Sequence, residues 1–402
     1  MAALPWPLPR EPTPLVRGLV QLVTLPPTLV GVLLSLLYNT ADYALRRPSY
    51  PFKRHIILGA LRFFQNASSA LRFVMPRDAG AAAIPKAAAA RGKTEYGVRI
   101  VPPIPDALRL PSTRLTAGMA GVRAVPVPLF GVAPRGDAPF RPAAHGELCF
   151  LHLVGGGYQV GHPLRFPLST EYVARTGVRL FAPNYRKCLD DASGFPAPLL
   201  DMLAGLQFVL EDLGFAPENV ILIGESAGAH GALMLARYMD DLRAAGVSRW
   251  GLPGGIFASA PWTNVLCTYP SIDSNYATDW LAPIRRVIAP AFARHCAGFL
   301  THPLLSPALS SVEDGHYARL AEAGVRVHVD CGTDEMLYDD GVALVRAMRA
   351  QGLEPQFREV PHGVHCEFAF ATLMPGIYPG AGFSWPLLLG DLDDMVAQLR
   401  AR

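Results

Sequence analysis

Apolar positions along the chain fall into two textures. From residue 18 to residue 41 no charged side chain interrupts the run GLVQLVTLPPTLVGVLLSLLYNTA. From about residue 96 onward, short apolar runs alternate with longer stretches of helical period. Residues 146–154 (GELCFLHLV), 178–183, 220–224, 255–260 and 325–329 read as strands. Residues 198–213, 227–242, 341–351 and 387–402 read as helices. The run VILIG at 220–224 has no polar position at all. A strand of that kind is buried on both faces of a parallel sheet. The alternation therefore predicts an α/β fold with a mostly parallel central sheet flanked by helices.

Between residues 261 and 307 the alternation stops, and Trp262, Tyr269, Tyr276, Trp280 and several prolines take over. That stretch is too long for a plain connection and reads as an insertion that helps to cover a site. The expected organisation is an N-terminal apolar region over 1–95 and a main domain over 96–402. The main domain carries a helical cap insertion at about 261–307. An Ala-rich segment at 79–90 reads as a linker or a surface helix.

The run over 18–41 is long enough to cross a bilayer as a helix, but Pro26 and Pro27 should break or kink it near its middle. Three readings follow: a spanning anchor, a helix pair dipping into one leaflet, or apolar cap helices over a site. Arg46, Arg47, Lys53, Arg54 and Arg62 follow the run. If it spans, that excess would leave the C-terminal bulk in the cytosol. A cleaved signal peptide fits poorly, because the run is long and no clean cleavage site follows. Asn66-Ala67-Ser68 is a formal glycosylation sequon.

Composition narrows the classes. The 402 residues are 50% hydrophobic and 17% charged, which suits a chain with a large buried core. A net charge of +3 without a Lys/Arg block argues against nucleic acid as a partner. The six cysteines form no Cys-x-x-Cys pair, and several lie in apolar runs. Buried free thiols are the expectation. No HExxH or comparable pattern occurs, so no metal or organic cofactor is expected.

The chemistry begins at Gly224-Glu225-Ser226-Ala227-Gly228, which matches GxSxG between an apolar strand and a helix. In that context the motif is a nucleophile elbow, a sharp turn that holds the Ser226 hydroxyl out. Upstream, Gly155-Gly156-Gly157 directly follows a strand. Three glycines let a backbone approach a bound ester and aim N–H groups at its carbonyl oxygen. A serine nucleophile needs a base, and the base needs an acid, in the order Ser, Asp, His for this fold. Asp334 follows a strand end, in Cys331-Gly332-Thr333-Asp334-Glu335, and is the expected acid. Glu335, Asp339 and Asp340 are its rivals. The base is His365 or His362, and the small loop ending in Gly363 favours His365. His230 and His152 read as packed residues of a helix and a strand.

Taken together, these residues resemble the hormone-sensitive-lipase-like α/β-hydrolases, the group of arylacetamide deacetylase and the fungal sterol deacetylases. The resemblance covers about 148–368 and rests on GGGY at 155–158, NYR at 184–186, FPAPLLD at 195–201, GESAG, LLSP at 304–307, GTDEML at 332–337 and Gly363-x-His365. It implies Ser226 as nucleophile, Asp334 as acid and His365 as base. It implies oxyanion donors from Gly155, Gly156 and Ala227, and a cap from the N-terminal region and the insertion after Ala260. Two departures stand out. Val154 occupies the place of the histidine that usually buttresses the glycine loop. Glu225 and Ala229 replace the usual Asp and second Gly around the nucleophile.

The implied function is hydrolysis of a small lipophilic ester, such as the short-acyl ester of a bulky alcohol like a sterol. Acyl transfer to another alcohol, amide hydrolysis and a non-catalytic binding role are the alternatives. The implied location is membrane-associated through about residues 18–41. The endoplasmic reticulum is one option and the side of the membrane is open.

Overall fold

A computed structural model describes residues 14–46, 51–70, 82–89, 92–114, 117–247, 250–281, 284–374 and 381–402. Eight strands form one sheet: β1 (Thr94–Val101), β2 (Val127–Pro134), β3 (Cys149–Leu153), β4 (Arg179–Pro183), β5 (Val220–Glu225), β6 (Gly255–Ser259), β7 (Arg326–Gly332) and β8 (Gln356–Val360). Their order is β1-β2-β4-β3-β5-β6-β7-β8. The pairs β1/β2 and β2/β4 are antiparallel, and the rest are parallel. The α/β architecture is as expected.

Alternation along each strand feeds two cores. On β5, Val220 and Leu222 face one core while Ile221 and Ile223 face the other. Helices Ala197–Gln207, Ala227–Ala244 and Tyr338–Ala350 cover the first face, and Leu168–Thr176 and Ala381–Arg400 cover the second. The helix expected over 198–213 is α-helical through Gln207 and continues as a wider turn over Phe208–Asp212.

The sheet places the site. From β3 the chain crosses to β4 on one side and later to β5 on the other. The crevice at such a switch point opens beyond the strands' C-terminal ends. The loops after β3, β5, β7 and β8 all emerge there, and they carry the glycines, Ser226, the acids and the histidines.

The N-terminal region forms two helices, α1 (Pro14–Arg46) and α2 (Phe52–Ala70). Contrary to expectation, α1 continues through Pro26 and Pro27; each proline removes one amide donor from the ladder without ending the helix. Among the described residues, no helix is long and apolar enough to cross a membrane. The sequon lies within α2, and of the Ala-rich 79–90 segment residues 82–89 are described and end in a short helix, Lys86–Ala89. Leu58 of α2 packs with Val364 and Phe370, beside Trp280 of the insertion. Thus α2 sits on the loop after β8.

Candidate active site

Ser226 ends the turn between β5 and its helix with φ 58° and ψ −122°. A left-handed serine is strained and is characteristic of a nucleophile held on a tight elbow. The turn is held by the Ser226 amide, which donates to the Ser259 carbonyl at 2.9 Å. Its compactness explains Gly228, where a Cβ would come 1.8 Å from the Leu153 carbonyl oxygen.

His365 reaches this serine from the loop after β8. Its Nε2 lies 2.8 Å from Ser226 Oγ. The histidine is buried, and burial pushes its pKa down to about 3. Two contacts and a left-handed neighbour fix its backbone. Its amide donates to Asp279 at 3.1 Å, Trp280 Nε1 donates to its carbonyl at 2.6 Å, and the next residue, Cys366, is left-handed with φ 49°. Asp279 and Trp280 belong to the insertion. The rival His362 is exposed and does not meet the serine.

The acid departs from expectation. Asp334 does not reach His365; its carboxylate stands 3.4 Å from His362 Nδ1. The Asp334 amide is tied to the Gly363 carbonyl at 3.0 Å, which turns its side chain toward the outer face of the loop. Glu335, one residue on, points inward. Its Oε2 lies 3.8 Å from His365 Nδ1. Neither carboxylate oxygen nor that ring nitrogen has a closer hydrogen-bond partner among the described residues. Burial, with the Asp279 and Asp330 carboxylates nearby, pushes Glu335 well above the ordinary carboxylate range. The remaining rivals serve structure. Asp340 accepts from the Thr263 and Asn264 amides, and Asp339 accepts from the Ser271 amide.

The glycine loop departs by one residue as well. Gly155 is not free to bind an oxyanion, because its N–H donates to Glu225 Oε1 at 2.8 Å. No intramolecular acceptor takes the Gly156 or Gly157 N–H among the described residues. The Ala227 N–H opens the helix after the serine, where amides have no helical acceptor. Ile288 of the insertion packs on the loop, and a Cβ at Gly157 would lie 2.8 Å from it. The insertion therefore touches both the glycine loop and the histidine loop. No group of three or more metal-ligating side chains occurs among the described residues.

The structure brings to the site two residues that the sequence reading had ranked lower: Glu335, there a rival of Asp334, and Gly157, there the last glycine of the loop. The available signal for Glu335 was its neighbourhood. It leads into the apolar Met336 and Leu337, both buried, whereas Asp334 follows the polar Thr333. His152, read as a packed strand residue, is hydrogen-bonded to Glu225 at 2.9 Å.

Residues 149–369 match the model of a family described as having the alpha/beta hydrolase fold. An acetyl-hydrolase of Streptomyces hygroscopicus is 32% identical over 240 residues, 58% of this chain and 73% of that protein. The esterase LipU of Mycobacterium tuberculosis is 26% identical over 169 residues, 40% of this chain and 52% of that protein. Among solved structures, an esterase from the bacterial hormone-sensitive lipase family aligns with a TM-score of 0.58 and 19% identity, over 87% of this chain and all (100%) of that one. Carboxyl esterase 2 of Tuber melanosporum aligns at 0.58 with 18% identity, over 75% of this chain and 88% of that one. At such identities these two show likeness of fold.

Proposed function

The chain belongs to the α/β-hydrolase fold family, and from that premise we propose that it is a serine esterase of the hormone-sensitive-lipase-like branch, working through Ser226, His365 and Glu335. The observation that carries this reading is the 2.8 Å contact between Ser226 Oγ and His365 Nε2. The Glu335 carboxylate stands behind that histidine.

In the proposed cycle, His365 Nε2 takes the hydroxyl proton as Ser226 Oγ bonds to the ester carbonyl carbon. The carbonyl oxygen becomes an oxyanion facing the N–H groups of Gly156, Gly157 and Ala227. Each such donor is worth about 3 kcal/mol in the transition state. His365 then protonates the departing alkoxide, leaving an acyl-serine. Water attacks the acyl carbon, gives its proton to His365, and Ser226 recovers that proton as the acid leaves. Glu335 accepts the Nδ1 hydrogen throughout, which keeps Nε2 free as the base. Burial disfavours either charge alone, and the attraction between imidazolium and carboxylate offsets part of that cost when both are present and facing each other. That state forms when Nε2 takes the serine proton.

Short acyl groups, acetyl first, are the proposed substrates, an inference that leans on the acetyl-hydrolase relative. The insertion and α2 would act as the cap, since both border the site. Turnover of p-nitrophenyl esters from acetyl to decanoyl tests acyl length: acetyl is expected to be fastest, and a decanoyl optimum would overturn it. Adding a primary alcohol separates transfer from hydrolysis.

We also propose that α1 lies on a lipid surface. Leu29, Val30, Leu33, Leu34, Leu37 and Tyr38 form one helical stripe, and each is more than half (at least 56%) exposed. A stripe of that kind fits in-plane binding rather than spanning. The protein is expected to float with phosphatidylcholine vesicles, and Leu33→Glu with Leu37→Glu should abolish flotation while leaving p-nitrophenyl acetate hydrolysis intact. Equal flotation of both would contradict the assignment.

A further inference from the structure

Two of the departures from the family pattern, Val154 and Glu225, meet at one peptide. The carbonyl of Val154 and the N–H of Gly155 belong to the same peptide unit. Tyr185 donates its hydroxyl to that carbonyl. Glu225 Oε1 accepts that N–H at 2.8 Å. The plane leading into the glycine loop is therefore gripped at both ends, and its orientation sets where the following two N–H groups point.

Glu225 is itself held. Its other oxygen, Oε2, accepts from His152 Nε2 at 2.9 Å. His152 Nδ1 lies 2.8 Å from Ser169 Oγ, and that hydroxyl donates to the Pro163 carbonyl at 2.8 Å. The His152 and Glu225 side chains are 2% and 8% exposed. A carboxylate in such a place needs a donor on each oxygen, and it has one on each. The approach is close, since a Cβ at Gly155 would come 2.5 Å from the Glu225 carbonyl oxygen. The Val154 side chain offers no polar atom to hold the loop.

We propose that Glu225, oriented by His152, is a positioning residue for the oxyanion donors, and that this pair does the work for which position 154 lacks a polar side chain. The proposal rests on the esterase reading above and adds to it a residue outside the triad. Neither side chain touches substrate. Their effect passes through the 154–155 peptide to the Gly156 and Gly157 N–H groups. A shift of that peptide by a fraction of an ångström would misaim donors whose value depends on preorganisation.

The test compares Glu225→Ala, Glu225→Gln, His152→Leu and His152→Gln with the unaltered protein. The readouts are kcat and KM on p-nitrophenyl acetate and the inhibition constant of a short alkyl trifluoromethyl ketone, whose serine adduct carries the oxyanion. Glu225→Ala should lower kcat about 100-fold, the loss typical of one oxyanion donor, with KM within about 3-fold. The ketone should weaken by the same factor as kcat/KM, because both report the oxyanion. His152→Gln keeps a donor for Oε2 and should retain kcat within about 3-fold, whereas His152→Leu should lose about 10-fold or more. His152→Leu combined with Glu225→Ala should be no worse than Glu225→Ala alone, since residues acting through one contact are not additive. If Glu225→Ala does not fold, Glu225→Gln and the two His152 variants carry the comparison. A kcat loss without matching loss of ketone affinity, an additive double variant, or no rescue by His152→Gln would overturn the proposal. Absence of activity and of ketone binding in the unaltered protein would instead overturn the esterase reading.

Discussion

Glu335 Oε2 stands 3.8 Å from His365 Nδ1, and among the described residues neither atom has a closer hydrogen-bond partner. Catalytic hydrogen bonds often tighten only when substrate is bound. Two buried groups with no other satisfaction are the pair expected to close up. Glu335→Gln should therefore lower kcat on p-nitrophenyl acetate by roughly 1,000- to 10,000-fold, since the amide favours the wrong imidazole tautomer. Asp334→Asn should stay within about 5-fold. The opposite ranking would return the acid role to Asp334.

The buried pair Arg54–Glu367 ties α2 to the histidine loop. Arg54 Nε donates to Glu367 at 2.8 Å, and the guanidinium also donates to the His362 carbonyl. Glu367 in turn accepts the Val364 amide at 3.1 Å, so the ion pair braces the turn that presents His365. Arg54→Ala leaves a buried carboxylate without its partner and should cost about 3–5 kcal/mol. Thermal unfolding would read this as a drop of several degrees, together with a lower kcat. Replacing both residues, Arg54→Met with Glu367→Leu, should recover much of the stability. An unchanged melting temperature in Arg54→Ala would contradict the bracing role.

His230 supplies a pH signature. It is fully buried in the first turn of the elbow helix, receives the Tyr158 hydroxyl at 2.7 Å and donates to the Leu305 carbonyl at 2.8 Å. Burial lowers its pKa from 6.5 to about 4. The unfolded chain thus binds a proton between those values that the folded chain does not. The contribution is present above pH 6.5, shrinks as pH falls, and is gone below about 4. It amounts to about 3 kcal/mol. His230→Gln, which can make both bonds without titrating, should show a shallower loss of stability over pH 6.5 to 4 in urea titrations. Parallel slopes would contradict this.

The fold was legible where a signal was local. The strand, turn and helix around Ser226 lie in one short segment, and Gly363 marks the short loop that presents His365. β2 was obscured because Pro128, Gly131 and Pro134 read as turn signals, although the strand pairs on both sides. β8 (QFREV) is a short edge strand with a polar face and no clean apolar run. The two places where the site geometry differs from expectation share a cause. Asp334 and Glu335 are adjacent acids, and which one faces inward is decided by the Asp334 amide bonding to Gly363, a contact across two loops. Gly155 and Gly157 are equally free of side chains. Only the reach of Glu225 from the next strand shows that the first amide is already taken.

Six thiols follow the same logic of burial. All six cysteines are buried and unpaired, and burial pushes each thiol above its ordinary value. An aromatic disulfide reagent needs an accessible thiolate. It should react with essentially none of them in the native protein and with all six in denaturant without reductant. Fewer than six under denaturing conditions would reveal a disulfide.

The most direct test of the central claim is covalent labelling of the native protein with a fluorophosphonate, read by peptide mass spectrometry beside turnover of p-nitrophenyl acetate. One adduct is expected, on the peptide containing Ser226, with loss of turnover in proportion to labelling. Ser226→Ala should take no label and lose about 1,000-fold or more in kcat. A label on another residue, or turnover retained in Ser226→Ala, would contradict the account.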